Sequence, residues 1–118
     1  MDMDTFRNCK VTRAYPDDLV GTSVQGRLTN VNFDRLIDTF GPPHHLDEKA
    51  TKVRCEWNLV INDHVVCIYD WAMGRTPIQE VTTWHIGGFD KIANKLAIFA
   101  LTTELEKHLI YFDKDSLT

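Results

Sequence analysis

Residues 52–71 read KVRCEWNLVINDHVVCIYDW, and the period of this stretch decides the fold. Val53, Cys55, Trp57, Leu59 and Ile61 alternate with Arg54, Glu56 and Asn58, the two-residue repeat of a strand that presses one face on a core. Asn62-Asp63 interrupts the run and residues 65–71 resume it, so a two-residue turn predicts a hairpin. That turn sets Leu59 opposite Val66, Trp57 opposite Ile68 and Cys55 opposite Asp70. One face is then core, and the other carries Arg54, Glu56 and Asn58 beside Cys67, Tyr69 and Trp71. In this register Cys55 and Cys67 face opposite sides and cannot form a disulfide.

Upstream, Gly21-Thr22-Ser23-Val24-Gln25-Gly26-Arg27-Leu28 combines glycines with β-branched residues, which predicts a strand entered through a tight polar turn. Phe33, Leu36, Ile37 and Phe40 recur at helical spacing behind Asn32, and Gly41-Pro42-Pro43 stops them, so a short amphipathic helix is expected. Residues 1–18 are polar and end in the turn-forming Tyr15-Pro16-Asp17-Asp18, as an arm or an edge strand would. Downstream, 72–77 reads as a loop and 78–86 as a third strand rich in Val, Thr and Trp, which Gly87-Gly88 ends. Residues 89 to about 108 read as a long helix, with Asp90 in the first turn and Lys107 and His108 in the last. The sum is an α+β fold: an antiparallel sheet of about four strands packed against two helices, one short and one long. It fits one domain over 1–118, with 19–110 as the core.

The long helix sets a further expectation. Ile92, Leu96 and Phe99 form one apolar stripe, and Ile98, Leu101, Leu105 and Leu109 form another nearly opposite. One sheet covers one stripe. The second calls for the N-terminal arm or a second copy of the chain, and a twofold homodimer is expected.

With 43% hydrophobic and 25% charged residues, the chain has the composition of a globular protein. Its net charge of −4 provides no overall positive field, which argues against a duplex nucleic acid partner. Residues 1–9 lack a signal-peptide apolar run, and the longest apolar stretch, 96–101, is too short to span a bilayer. A cytoplasmic protein with no membrane partner is therefore expected. Cys9, Cys55 and Cys67 contain no Cys-x-x-Cys pair and read as free thiols.

No catalytic motif is legible. A Cys55 or Cys67 thiol paired with His85 has the residue types of nucleophile and base, yet both thiols lie in apolar strands. Ser23 lacks a Gly-x-Ser-x-Gly setting. His44-His45 near Asp47 and Glu48 lacks metal-site spacing and reads as a solvated loop. Neither a metal nor a cofactor is expected. Thr22, Ser23, Gln25 and Arg27 follow a glycine turn with hydroxyls, an amide and a guanidinium that suit phosphate or carboxylate oxygens; a turn satisfying its own backbone reads equally well. Trp84 and His85, just before Gly87-Gly88 and a helix start, form a second anion-favouring feature. Tyr69 and Trp71 beside Arg54, with Arg75 in the next loop, offer stacking and positive charge to a flat anion such as a nucleotide.

Gly21-Thr22-Ser23-x-Gln25-Gly26, the helix ending Phe40-Gly41-x-Pro43, Lys52-x-x-x-Glu56-Trp57, Ile68-Tyr69-Asp70-Trp71 and Thr83-Trp84-His85-Ile86-Gly87-Gly88 together resemble a family of small proteins of double-stranded DNA phages and large DNA viruses. The resemblance covers roughly residues 20–90. The loop after Trp71 is shorter, and the arm before residue 19 longer, than that pattern has. The resemblance implies a viral accessory protein in the cytoplasm of the infected host cell. The functional expectation is a counter-defence protein that sequesters a small nucleotide-derived immune signal. The alternatives are a protein inhibitor docking on a host defence effector and a hydrolase of a phosphate compound.

Overall fold

A computed structural model describes residues 11–101 of the chain. The strands are β1 (Val11–Arg13), β2 (Ser23–Leu28), β3 (His45–Leu46), β4 (Cys55–Ile61), β5 (His64–Tyr69) and β6 (Trp84–Gly88), and the helices are α1 (Phe33–Phe40) and α2 (Ile92–Leu101). The fold is α+β with an antiparallel sheet, as the hydrophobic periods predict. Among the described residues the sheet has six strands rather than about four, because two short ones complete the edge. The order is β1-β4-β5-β6-β2, and β3 lies beside β1 on the outer edge of β4.

The hairpin has the predicted register: Leu59 pairs with Val66 and Trp57 with Ile68, and the Asp70 N–H donates to the Cys55 carbonyl. Its turn residues, Asn62 and Asp63, have φ of 49° and 67°, the left-handed pair that matches the twist of the flanking strands. Alternation then sends Cys55, Trp57, Leu59, Ile61, Val66 and Ile68 into one core together with Leu28, Trp84, Ile86 and the helices. Trp57 and Trp84 meet edge to face there, with centroids 5.7 Å apart.

α1 has the predicted limits. The Asn32 side chain accepts from the Arg35 N–H at 2.9 Å, and Gly41, at φ 81°, donates its N–H to the Ile37 carbonyl at 2.7 Å. The cluster at Tyr15–Asp18 makes a 3-10 turn, Pro16–Leu19, in which Asp18 accepts from the Tyr15 N–H.

Four expectations need correction. The third strand occupies Trp84–Gly88, and Ile78–Glu80 is a separate 3-10 turn under α1. Gly87 and Gly88 do not stop the strand but are its last paired residues, opposite Cys67 and Ser23. A Cβ on Gly88 would lie 2.8 Å from the Ala93 Cβ and 3.0 Å from the Val65 carbonyl, so only glycine lets β6 pass beneath α2. The helix begins at Ile92, after Asp90 accepts from the Ile92 N–H; Lys107, His108, Leu105 and Leu109 lie outside the described residues. The stripe through Ile98 and Leu101 is buried within this chain, because α1 packs beside α2 on the same face of the sheet and Arg35 donates to the Leu101 carbonyl at 2.7 Å. Those two residues therefore give no ground for a homodimer. Among the described residues, no helix is long and apolar enough to cross a membrane.

Candidate functional site: the open face of the sheet

Both helices pack on one face of the sheet, and strand parity places the other chemistry-bearing side chains on the opposite face. Cross-strand pairing makes a row there: Glu56 opposite Tyr69, Tyr69 opposite His85, and His85 opposite Arg27. The Tyr69 and His85 rings meet at 5.5 Å and 68°, and Tyr69 also leans toward Gly87, where the missing side chain leaves room for the ring. Trp71, just past the end of β5, lies nearly parallel to His85, with a 17° interplanar angle and centroids 6.0 Å apart. The Lys52 amine sits 6.0 Å from the Trp71 centroid. Trp71 remains 44% exposed, unlike the fully buried Trp57 and Trp84.

Burial first, then the Arg27 guanidinium, hold His85 below its ordinary 6.5, so the ring is neutral at physiological pH. Burial, with a smaller push from Cys67 and Glu56, raises Tyr69 and keeps its phenol protonated. Glu56 is itself raised by burial, against an opposing pull from His45. Cys67 is pushed up to about 12 by burial and by Glu56, so its thiol is protonated and a poor nucleophile for His85 to activate. Cys55, inside the helical core, is raised to about 12, chiefly by burial.

The sequence-predicted site residues divide into four places. Arg27, Tyr69, Trp71 and His85 come together in the row. Trp84 does not: it is completely buried on the helical face, and its Nε1 donates to the Val31 carbonyl at 2.8 Å. Thr22, Ser23 and Gln25 stand at the far end of β2. There Thr22 donates to the Leu19 carbonyl, and Gln25 donates to Ser23 Oγ and the Gly88 carbonyl, so the turn satisfies itself.

Arg54 leaves the predicted face because β4 starts only at Cys55, and alternation does not reach it. It is buried against the fully buried Asp70, with Nε 2.9 Å from Oδ2. Arg75 shares a cleft with Arg54 in which Trp71 has no part. His45 is solvent-exposed, as the sequence suggests, but the pair is not a loop: His45 pairs with Glu56 in the β3–β4 ladder, and His44 Nδ1 accepts from the Asn58 N–H.

Lys52 is not among the predicted site residues, although the charge pattern groups it with Arg27, Arg54 and Arg75 as a local basic set. The hairpin register, extended past the ends of the strands, would have found it, since the Ala72 N–H bonds to the Lys52 carbonyl and so brings Lys52 beside Trp71.

The fold and the site define a class of protein: an antiparallel sheet covered by helices on one face, with an aromatic and cationic row on the other. The sequence gives no significant match to protein-family models, curated proteins or solved structures.

Proposed function

We propose that this chain is a binding protein for a small, planar, negatively charged ligand of the nucleotide class, held on the open sheet face. The observation that carries the reading is the half-exposed Trp71 indole lying parallel to His85, with Lys52 at its ring and Arg27 at the far side of His85. A base stacks on an indole regardless of its hydrogen-bond pattern, and the two cations offset the charge of its phosphates. Sequestering a nucleotide-derived immune signal in the infected cell is the role that the viral resemblance adds to this chemistry.

The test is a thermal-shift panel of mono-, di- and cyclic nucleotides, followed by mass spectrometry of compounds released on heating. A stabilising nucleotide, released intact, is expected. Trp71→Ala should weaken its binding by about 10- to 100-fold, the equivalent of about 1–3 kcal/mol of stacking. The reading fails if no nucleotide stabilises the protein or if Trp71→Ala binds as well as the parent. Release of a chemically altered compound would favour the hydrolase.

The inhibitor reading draws on a different surface. Val20, Val24 and Phe89 are exposed around β2, which ends the sheet with one edge unpaired among the described residues. A host protein that co-purifies with the chain and is lost in Val24→Lys would favour that reading.

A further inference from the structure

Arg54 is held more tightly than a surface arginine needs to be. Its backbone N–H and that of Cys55 both donate to Asp70 Oδ1, at 2.8 and 3.0 Å, while its Nε donates to Asp70 Oδ2 and its Nη1 to the Thr76 carbonyl at 2.7 Å. The guanidinium is thus fixed in place, yet its Nη2 is buried with no partner among the described residues. A buried donor left unpaired is costly, and Nη2 is the one guanidinium nitrogen that Asp70 and Thr76 leave for an oxyanion oxygen. Arg54 lines a cleft of about 580 Å³ together with Lys49, Thr51, Arg75 and Glu48, and it also lines a smaller adjoining one of about 240 Å³.

Both walls of the cleft are set by backbone turns. Asp47 accepts from the Lys49 N–H, and the Ala50 N–H closes back on the Asp47 carbonyl. Across the cleft, Gly74 at φ 62° turns the chain so that the Thr76 N–H reaches the Met73 carbonyl, with Arg75 at the tip. Lys49, Arg54 and Arg75 line the cleft with one carboxylate, Glu48, while Asp70 is taken up by Arg54 and Asp47 by the Lys49 N–H, so the positive groups face the cleft even though the neighbourhood as a whole is balanced. A fixed guanidinium, two exposed cations and the Thr51 hydroxyl match the oxygens of a phosphate group. The Glu48 carboxylate in the same cleft repels a second anionic group and accepts from a hydroxyl.

We infer that this cleft is a second ligand site, separate from the aromatic row, for a small phosphomonoester that carries hydroxyl groups. Its phosphate sits between Arg54 and Arg75, and its hydroxyls face Glu48. The volume lies within the range of small-molecule sites.

The test titrates inorganic phosphate into the isotope-labelled full chain, with chloride at matched ionic strength as the control, and follows it by NMR. Saturable shifts are expected at the Arg54 Nε–H and at the amides of 49–51 and 74–75, with phosphate and not with chloride. Arg75→Ala, at an exposed loop tip, should weaken phosphate binding by about tenfold without unfolding the chain. Lys49→Ala should weaken it less. The inference is overturned if no saturable shift occurs, if Arg75→Ala binds as tightly as the parent, or if the shifts fall on Arg27 and His85 alone. That last pattern would support the aromatic-row reading, so the two proposals fail separately.

Discussion

Of the three tryptophans, two are structural and one is available to a ligand, and the difference comes from where each stands relative to its strand. Trp57 is at a core-facing parity of β4, which the alternation around it makes plain in the sequence. Trp84 is equally buried, but the run around it carries no comparable alternation. Its neighbours Thr82 and Thr83 precede the strand, and Gly87-Gly88 imitates a terminator, so the face it takes could not be read locally. Trp71 follows the last paired residue of β5, is freed from alternation, and turns onto His85. Truncating these side chains should separate the roles. Trp84→Ala removes a fully buried ring and the bond to Val31, and is expected to cost about 3–5 kcal/mol in urea unfolding. Trp71→Ala should stay within about 1 kcal/mol of the parent. An equal loss in both variants would make Trp71 a structural cover and remove it as a platform for a ligand. Arg54 shows the opposite kind of misreading: the sequence places it by parity on the open face, whereas its charge is drawn to Asp70, the nearest buried carboxylate.

At the scale of elements, local information sufficed wherever the turn and the pattern agreed. The β4–β5 hairpin and α1 were legible because Asn62-Asp63, Asn32 and Gly41 are each suited to the backbone they adopt. β1 was legible only as an edge strand or arm somewhere within 1–18 and β3 not at all, since strands of three and two residues are defined by the edge of β4 and hardly by their own sequence. The hairpin turn can be tested directly. Asp63 stands at φ 67°, where an L-residue pays roughly 1 kcal/mol that glycine avoids, while glycine adds about 0.5 kcal/mol of unfolded-state entropy. Asp63→Gly is therefore expected to stabilise the protein by about 0.5 kcal/mol. Asp63→Val puts a β-branched side chain in that region and should destabilise it by about 1–2 kcal/mol. Urea midpoints at constant slope would report both, and a neutral Asp63→Val would mean that the turn is not left-handed in solution.

At the scale of the molecule, the sequence shows that a helix apolar on two sides must be covered twice, but not by what. α1 supplies the second cover, a tertiary placement that no local period encodes. The same one-sided layering half-buries a polar face, and that has a consequence for acid stability. His85 is held below its ordinary 6.5 by burial and by Arg27, and His44 by burial and by Arg13, so the folded protein resists protons that the unfolded chain accepts. The unfolded state then binds more protons as the pH falls through 6.5, and stability, complete above that point, is lost below it until the folded-state pKa values are reached. Glu56 acts in the opposite sense. Its pKa is raised above 4.5, so the stability it contributes is present below that value and lost as the pH rises through the folded-state pKa. Two imidazoles therefore weaken the fold on acidification before one carboxyl begins to restore it. Unfolding free energy is expected to decline as the pH falls through 6.5, and to stop declining once the lowered folded-state pKa values are passed. His85→Gln should flatten this decline, because it removes one of the resisting groups, and Glu56→Gln should raise stability at neutral pH while leaving the histidine slope in place. A ligand phosphate placed beside Arg27 would oppose the field that depresses His85 and raise its pKa, so a saturating nucleotide should shift the His85 titration upward by NMR. If the decline is as steep in His85→Gln as in the parent, the neutral imidazole on the open face is not a source of the acid sensitivity.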